Sequence, residues 1–214
     1  MINQKLDKKI IAIIAPAGSG KSTLAEVINQ HYPKSKIMSF ANSIKNMLTN
    51  FYKDSFGNDK EQLDIFGMNI TLRQALNKLG TDWGRNNMNS DIWIRALHKK
   101  IKDNENEIII IDDLRFINEM SYLIKQEAII ILLSTQHQIT EKRKAELSES
   151  ERLSWDLIDF LEDDDKGCFV GNFLKSYPNF IYHKTEYLFH DIEALKSVYT
   201  HDILPEINLK LGKS

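Results

Sequence analysis

Residues 10–28 read IIAIIAPAGSGKSTLAEVI. An apolar run without alternation passes into a Gly-rich turn, and then into a stretch whose Leu24, Val27, Ile28 and His31 fall on one helical face. Strand, Gly-Lys-Ser turn and helix, in that order, are the context a phosphate-binding loop requires. Backbone N–H groups of such a turn and of the first helical turn point at phosphate oxygens. The lysine adds a mobile positive charge, and the hydroxyl after it can ligate Mg²⁺. Here those residues are Ala17, Gly18, Ser19, Gly20, Lys21, Ser22 and Thr23. One position departs, because Ala15 stands where the pattern opens with glycine. A methyl group at the strand exit is tolerated if φ is negative, whereas Gly18 and Gly20 must come close to phosphate, so the loop is expected to survive. The Gly-x-Gly-x-x-Gly spacing of a dinucleotide fold is absent.

Outward from the loop, apolar runs recur at 36–40, 107–112, 128–133 and 179–183, with helical patterns between them. Together with 9–15 they predict five strands buried on both faces, hence an α/β layout around a central, mainly parallel sheet. Thr71 reads as the cap of a helix carrying Leu72, Leu76 and Leu79, with Gly80 where a C-terminal cap belongs. Ser90 can open another, on which Trp93, Leu97 and Ile101 recur every four residues. Residues 52–70 have breaks and no period, so they read as an irregular excursion. From 134 to 178 the chain turns polar and charged. Such a tract is either a solvated face or, in an α/β kinase, a lid.

Composition narrows the class. The 214 residues suffice for one compact domain with a small appended subdomain. The single cysteine, Cys168, leaves no intramolecular disulfide and fits a reducing compartment. No apolar run approaches the roughly 20 residues that span a bilayer, and MINQKLDKK does not read as a secretory signal. A formal net charge of −2 points to neither a nucleic-acid coat nor a membrane anchor. The expected protein is therefore soluble and cytoplasmic, and a bound anion must be held by local chemistry. The six histidines lack metal-ligand spacing, so zinc is not expected.

In EIIIIDDLRFINE, Asp112 and Asp113 fall at the C-terminal end of a buried strand, where ligands lie in open α/β sheets. One of them can hold a Mg²⁺-bound water or orient an acceptor, and Arg115 can reach a phosphate. The same pair can instead cap the helix beginning near Asn118. Arg73 begins the 72–79 helix and Arg85 follows GTDWG, so together they can bind a second anion. Phe40 is a candidate for stacking a base, while Trp83 and Trp93 are assigned to apolar packing.

Taken in order, GSGKST, SFANSIKNML, TLRQALNKLGTDWGRNNMNSDIWIRAL and DDLRFINEM resemble the phage-type deoxynucleoside monophosphate kinases, a branch of the P-loop kinases. The resemblance covers roughly 9–133, with a looser match at IYHKTEYLFHDIEAL. It implies a three-layer P-loop kinase fold in one domain. The core would comprise 9–40, 91–133 and 179–214, with an acceptor-binding insertion at about 41–90 and a lid at about 134–178. It also implies transfer of the γ-phosphoryl group of ATP to a deoxynucleoside monophosphate with Mg²⁺, and in a phage-encoded protein the host cytoplasm as the location. By the same resemblance Lys21 and Ser22 serve ATP and metal, Phe40 and Lys45 line the acceptor pocket, and Arg73, Arg85 and Arg115 hold or neutralise the acceptor phosphate. Asp113 sits at the catalytic centre and on the metal, and Arg143 is the lid residue taken to act on ATP. Lys142, Lys144 and Arg152 stay open for that last role. No nucleic-acid or membrane partner is implied, and a homodimer is left open. Two other readings remain: a P-loop kinase of another small acceptor such as dephospho-coenzyme A, and a non-catalytic ATP-binding regulatory module.

Overall fold

The computed structural model describes residues 4–52, 70–135, 147, 149–162, 169–185 and 191–213. Two compact units make up the chain. One comprises Gln4–Met38 with Glu105–Ser214, and the other includes Ser39–Asn104.

The first unit is built on five parallel strands: β1 (Lys9–Ile14), β2 (Ser35–Met38), β3 (Ile108–Ile111), β4 (Ile129–Thr135) and β5 (Phe180–Thr185), in the spatial order β2-β3-β1-β4-β5. All five expected strands form, and every pairing between neighbours is parallel, but β2 and β5 stand at the two edges and are only partly buried, not covered on both faces as expected. Isoleucine is the reason the runs lack alternation. Ile11, Ile13 and Ile14 of β1, Ile109, Ile110 and Ile111 of β3, and Ile130 and Ile131 of β4 are wholly buried, as strands covered on both faces require. One face is covered by α1 (Lys21–His31), α8 (Ile192–Val198) and α9 (Leu204–Leu211). Leu24, Val27, Ile28, Leu195 and Ile207 from these helices, with Tyr199 and Ile203 from the π-type turn Tyr199–Ile203 that links α8 to α9, join a single core with β1, β3 and β4. His31, expected on the buried face of α1, is exposed in its last turn, and Ala25 takes the buried place.

Between β4 and β5 the charged tract is not a solvated face throughout. It contains α6 (Glu149–Glu162) and α7 (Phe169–Ser176), which pack on each other, and α6 also meets β4. Leu153, Leu157, Ile158, Phe160 and Leu174 are buried there, so the described part of the tract forms amphipathic helices with an apolar inner side.

The second unit holds α2 (Ala41–Tyr52), α3 (Leu72–Asn77), a wide helical segment from Lys78 to Met88, and α4 (Ile92–Lys102). Thr71 caps α3 as expected. Its hydroxyl accepts from the Gln74 N–H at 3.1 Å while the Gln74 side chain accepts from the Thr71 N–H at 2.8 Å. Gly80, however, does not end a helix, because the chain runs on from α3 into π-type turns. The glycine serves packing instead. A methyl group at Gly80 would meet Ile44 Cδ1 at 2.9 Å, and one at Gly84 would meet the Trp93 ring at 2.5 Å. The Gly80 carbonyl accepts the Trp93 indole N–H at 2.7 Å. Trp93, Leu97 and Ile101 are buried on α4 as their spacing implied, although the helix starts at Ile92 rather than at Ser90. Trp83, assigned to apolar packing, is 39% exposed.

Candidate functional site

The turn from β1 into α1 has the backbone its glycines imply. Gly18 and Gly20 both sit at φ +79°, the left-handed region, while Ala15 does not. Ala15 is buried in the core with Ile13 and Leu24, so its methyl group is packing rather than obstruction. Helix α1 begins with Gly20 as its cap, receives no side-chain cap, and has no acidic residue in its first turn. Its N-terminal N–H groups and dipole are therefore left to an anion. Lys21 Nζ donates to the carbonyls of Ala15, at 2.9 Å, and Pro16, at 2.6 Å, which keeps its charge over the loop. Ser22 is exposed in the first turn of α1 and Thr23 is half-buried, whereas Ala17 and Gly18 are exposed at the tip. Ser19 is 2% exposed, and its hydroxyl has no hydrogen-bond partner among the described residues. Behind it the Tyr199 hydroxyl donates to the Ser19 carbonyl at 3.4 Å.

Strand β3 brings the second group to the same C-terminal end of the parallel strands. Ile111 pairs with Ala12 in parallel register, so Asp112 and Asp113 leave β3 beside the strand that feeds the loop. Both are half-buried and Arg115 is exposed. The following helix is α5 (Ile117–Lys125), the one the aspartate pair can cap. Its start is served by Glu119, whose carboxylate accepts the N–H of Arg115 at 3.1 Å and of Phe116 at 3.2 Å. Asn118 Oδ1 accepts from the Glu119 N–H at 3.0 Å.

Within the second unit, Phe40 is buried and Lys45 is exposed on α2. Arg73 is exposed in the first turn of α3. Arg85 is half-buried in the wide segment, where it donates to the Gly80 carbonyl at 3.4 Å. Arg143, with Lys142 and Lys144, lies outside the described residues. Arg152 is exposed on α6 and its Nε donates to the Leu147 carbonyl at 3.3 Å.

Two residues of this site escaped the sequence reading. Glu119 had a signal, since an acidic residue three positions after the cap residue and just before an apolar run marks a helix start. Tyr199 had none, being 180 residues from Ser19.

The donors assigned to metal, the Ser22 hydroxyl and the Asp113 carboxylate, are hard oxygens that follow the C-terminal ends of the neighbouring strands β1 and β3. That set suits Mg²⁺, which takes few protein ligands and keeps several waters. Among the described residues no cluster of three or more His, Cys, Asp or Glu could hold a metal ion, and no helix is long and apolar enough to cross a membrane.

No curated protein matches the chain in sequence. Among solved structures, a gluconokinase from Sinorhizobium meliloti 1021 aligns at 10% identity with a TM-score of 0.41, covering 98% of this chain and 97% of that one. Residues 62–150 match the model of the family described as deoxynucleotide monophosphate kinase. That stretch contains Arg73, Arg85, Asp113 and Arg115 but not the phosphate loop, which the structure exhibits independently. The chain therefore combines the backbone geometry of a phosphate-binding loop with a region similar to the deoxynucleotide monophosphate kinases, and the resemblance to that family is borne out.

Proposed function

We propose that this protein transfers the γ-phosphoryl group of ATP to a deoxynucleoside monophosphate, releasing the deoxynucleoside diphosphate and ADP. The observation that carries the reading is the N-terminus of α1. It is uncapped, stands behind two left-handed glycines, and has a lysine resting on the carbonyls of its own loop.

Binding of the triphosphate exchanges the two carbonyl acceptors of Lys21 for charged phosphate oxygens, so that both partners are ionised and the bonds are stronger. The N–H groups of the first turn of α1 take the remaining oxygens. Mg²⁺ held by Ser22 and Asp113 would supply charge neutralisation at the β- and γ-phosphates. Arg73 and Arg85 are assigned to the acceptor's phosphate, with Phe40 and Lys45 toward its nucleoside, and Arg115 to the charge that develops during transfer. No covalent nucleophile is required, since phosphoryl transfer rests on alignment and electrostatic stabilisation.

The deciding experiment is a coupled ADP-release assay against a panel of deoxy- and ribonucleoside monophosphates, with dephospho-coenzyme A as a further acceptor. Deoxynucleoside monophosphates should stimulate release strongly. Stimulation by none of them removes the acceptor assignment, and ATP binding without turnover indicates a regulatory module. Arg73→Ala should lower turnover by roughly 10³-fold, the scale associated with charge-stabilising arginines, while ATP affinity measured by calorimetry changes little. Collapse of ATP binding in that variant would remove Arg73 from the acceptor side.

A further inference from the structure

Glu119 is 1% exposed. A carboxylate is almost never buried so completely unless its oxygens are satisfied. Here one oxygen, Oε2, accepts from two consecutive backbone N–H groups, those of Arg115 at 3.1 Å and Phe116 at 3.2 Å. Drawing two successive N–H groups to one atom fixes both peptide planes. The plane at Arg115 is the one from which that exposed side chain departs.

We propose that Glu119 is a positioning residue for phosphoryl transfer. It sets the backbone of the Asp112–Phe116 turn and thereby aims Arg115, with Asp113 two residues earlier inheriting the same constraint. The inference rests on the function proposed above. A capping box accounts for the bond to the Phe116 N–H. It does not account for the second bond, to the Arg115 N–H, which takes this buried carboxylate on into the turn that carries two candidate site residues. Because the reaction depends on alignment, an arginine released from its orientation costs rate rather than ATP binding.

The test compares Glu119→Ala, Glu119→Asp and Glu119→Gln with Gln126→Ala. Gln126 is a control at the far end of α5, 5% exposed, whose side-chain oxygen accepts the Leu6 N–H at 2.8 Å. For each variant, kcat, the KM for ATP and for the acceptor, and the thermal midpoint are measured. Glu119→Ala should lose about 10²-fold in kcat, the cost of a misplacement on the order of an ångström, with the KM for ATP little changed. Glu119→Gln keeps an oxygen at the same reach and should recover most of the rate. Glu119→Asp, one methylene shorter, should fall between the two. Gln126→Ala should lose stability but not kcat.

A folded Glu119→Ala with the wild-type kcat overturns the inference, as does a kcat loss in Gln126→Ala matching that of Glu119→Ala. Should Glu119→Ala not fold, Glu119→Asp decides, and a wild-type kcat in it is equally fatal. Wild-type protein that turns over no acceptor ends the proposed function and this inference together. Turnover in the wild type with silent Glu119 variants ends the inference alone.

Discussion

Ala15 is the residue at which the phosphate loop departs from its pattern, and its surroundings say why the departure is tolerated. Only Gly18 and Gly20 of the loop need the left-handed region, and a side chain there would be strained. Ala15 has ordinary backbone and a buried methyl group packed in the core, and it reaches Lys21 through its carbonyl, which any residue supplies. Ala15→Gly should therefore leave ATP affinity unchanged and lower stability by about 1 kcal/mol, from the lost methyl burial and added chain entropy. Titration calorimetry and urea unfolding check the two halves, and tighter ATP binding in the variant would show that Ala15 does obstruct the loop. The loop was legible in the sequence because its geometry is local: each glycine answers for its own φ. Lys21 lying on the carbonyls of Ala15 and Pro16 was not, since a backbone acceptor leaves no mark in residue type.

At the scale of elements, the strands were legible and the stretch around Gly80 was not. Buried parallel strands have only one solution for a run such as IIII, and β3 follows it at Ile108–Ile111. A glycine after an apolar periodic stretch has two, a C-terminal cap or a close approach, and residue type does not separate them. Gly80 and Gly84 are of the second kind, but the neighbours they admit give way differently. At Gly80 the added methyl group meets the terminal carbon of the Ile44 side chain, which can swing aside. At Gly84 it meets the ring of Trp93, which is 3% exposed and bonded through its indole N–H. Gly84→Ala should therefore destabilise by about 1–3 kcal/mol, as overpacking does. Gly80→Ala should cost far less, because the end of Ile44 moves aside, and alanine's helical preference, worth up to about 1 kcal/mol at either position, then offsets what contact remains. Chemical denaturation of the two variants checks the order, and equal losses would show that the rings of Trp93 and the end of Ile44 are equally free.

For the whole molecule, a formal charge of −2 leaves the response to acid to particular groups, and two of them join neighbouring elements of the sheet unit. His183 on β5 lies edge-on to Tyr199, with ring centroids 6.3 Å apart, and its Nε2 is buried without a hydrogen-bond partner among the described residues. Burial pushes its pKa below the ordinary 6.5, against the opposing pull of Asp202 and Glu206. Glu162 on α6 accepts from Ser134 of β4 at 3.1 Å and from Tyr182 of β5 at 2.9 Å, and pairs with Lys184 at 3.0 Å. Burial works to raise its carboxyl pKa, but the bonds from Lys184, Tyr182 and Ser134 outweigh it and hold the group below the usual range. In both cases the folded state binds its proton less readily than the unfolded chain, so stability is full above the unfolded pKa and is lost as pH falls. The histidine acts first, on descending through about 6.5, and the carboxylate only below about pH 4.5. Urea midpoints followed from about pH 8 to about pH 2 should therefore fall in two stages. His183→Leu should flatten the upper stage. Glu162→Gln should lower stability at neutral pH by an amount that shrinks as the lower stage is reached. A wild-type profile unchanged by either substitution would mean that acid acts elsewhere than at His183 and Glu162.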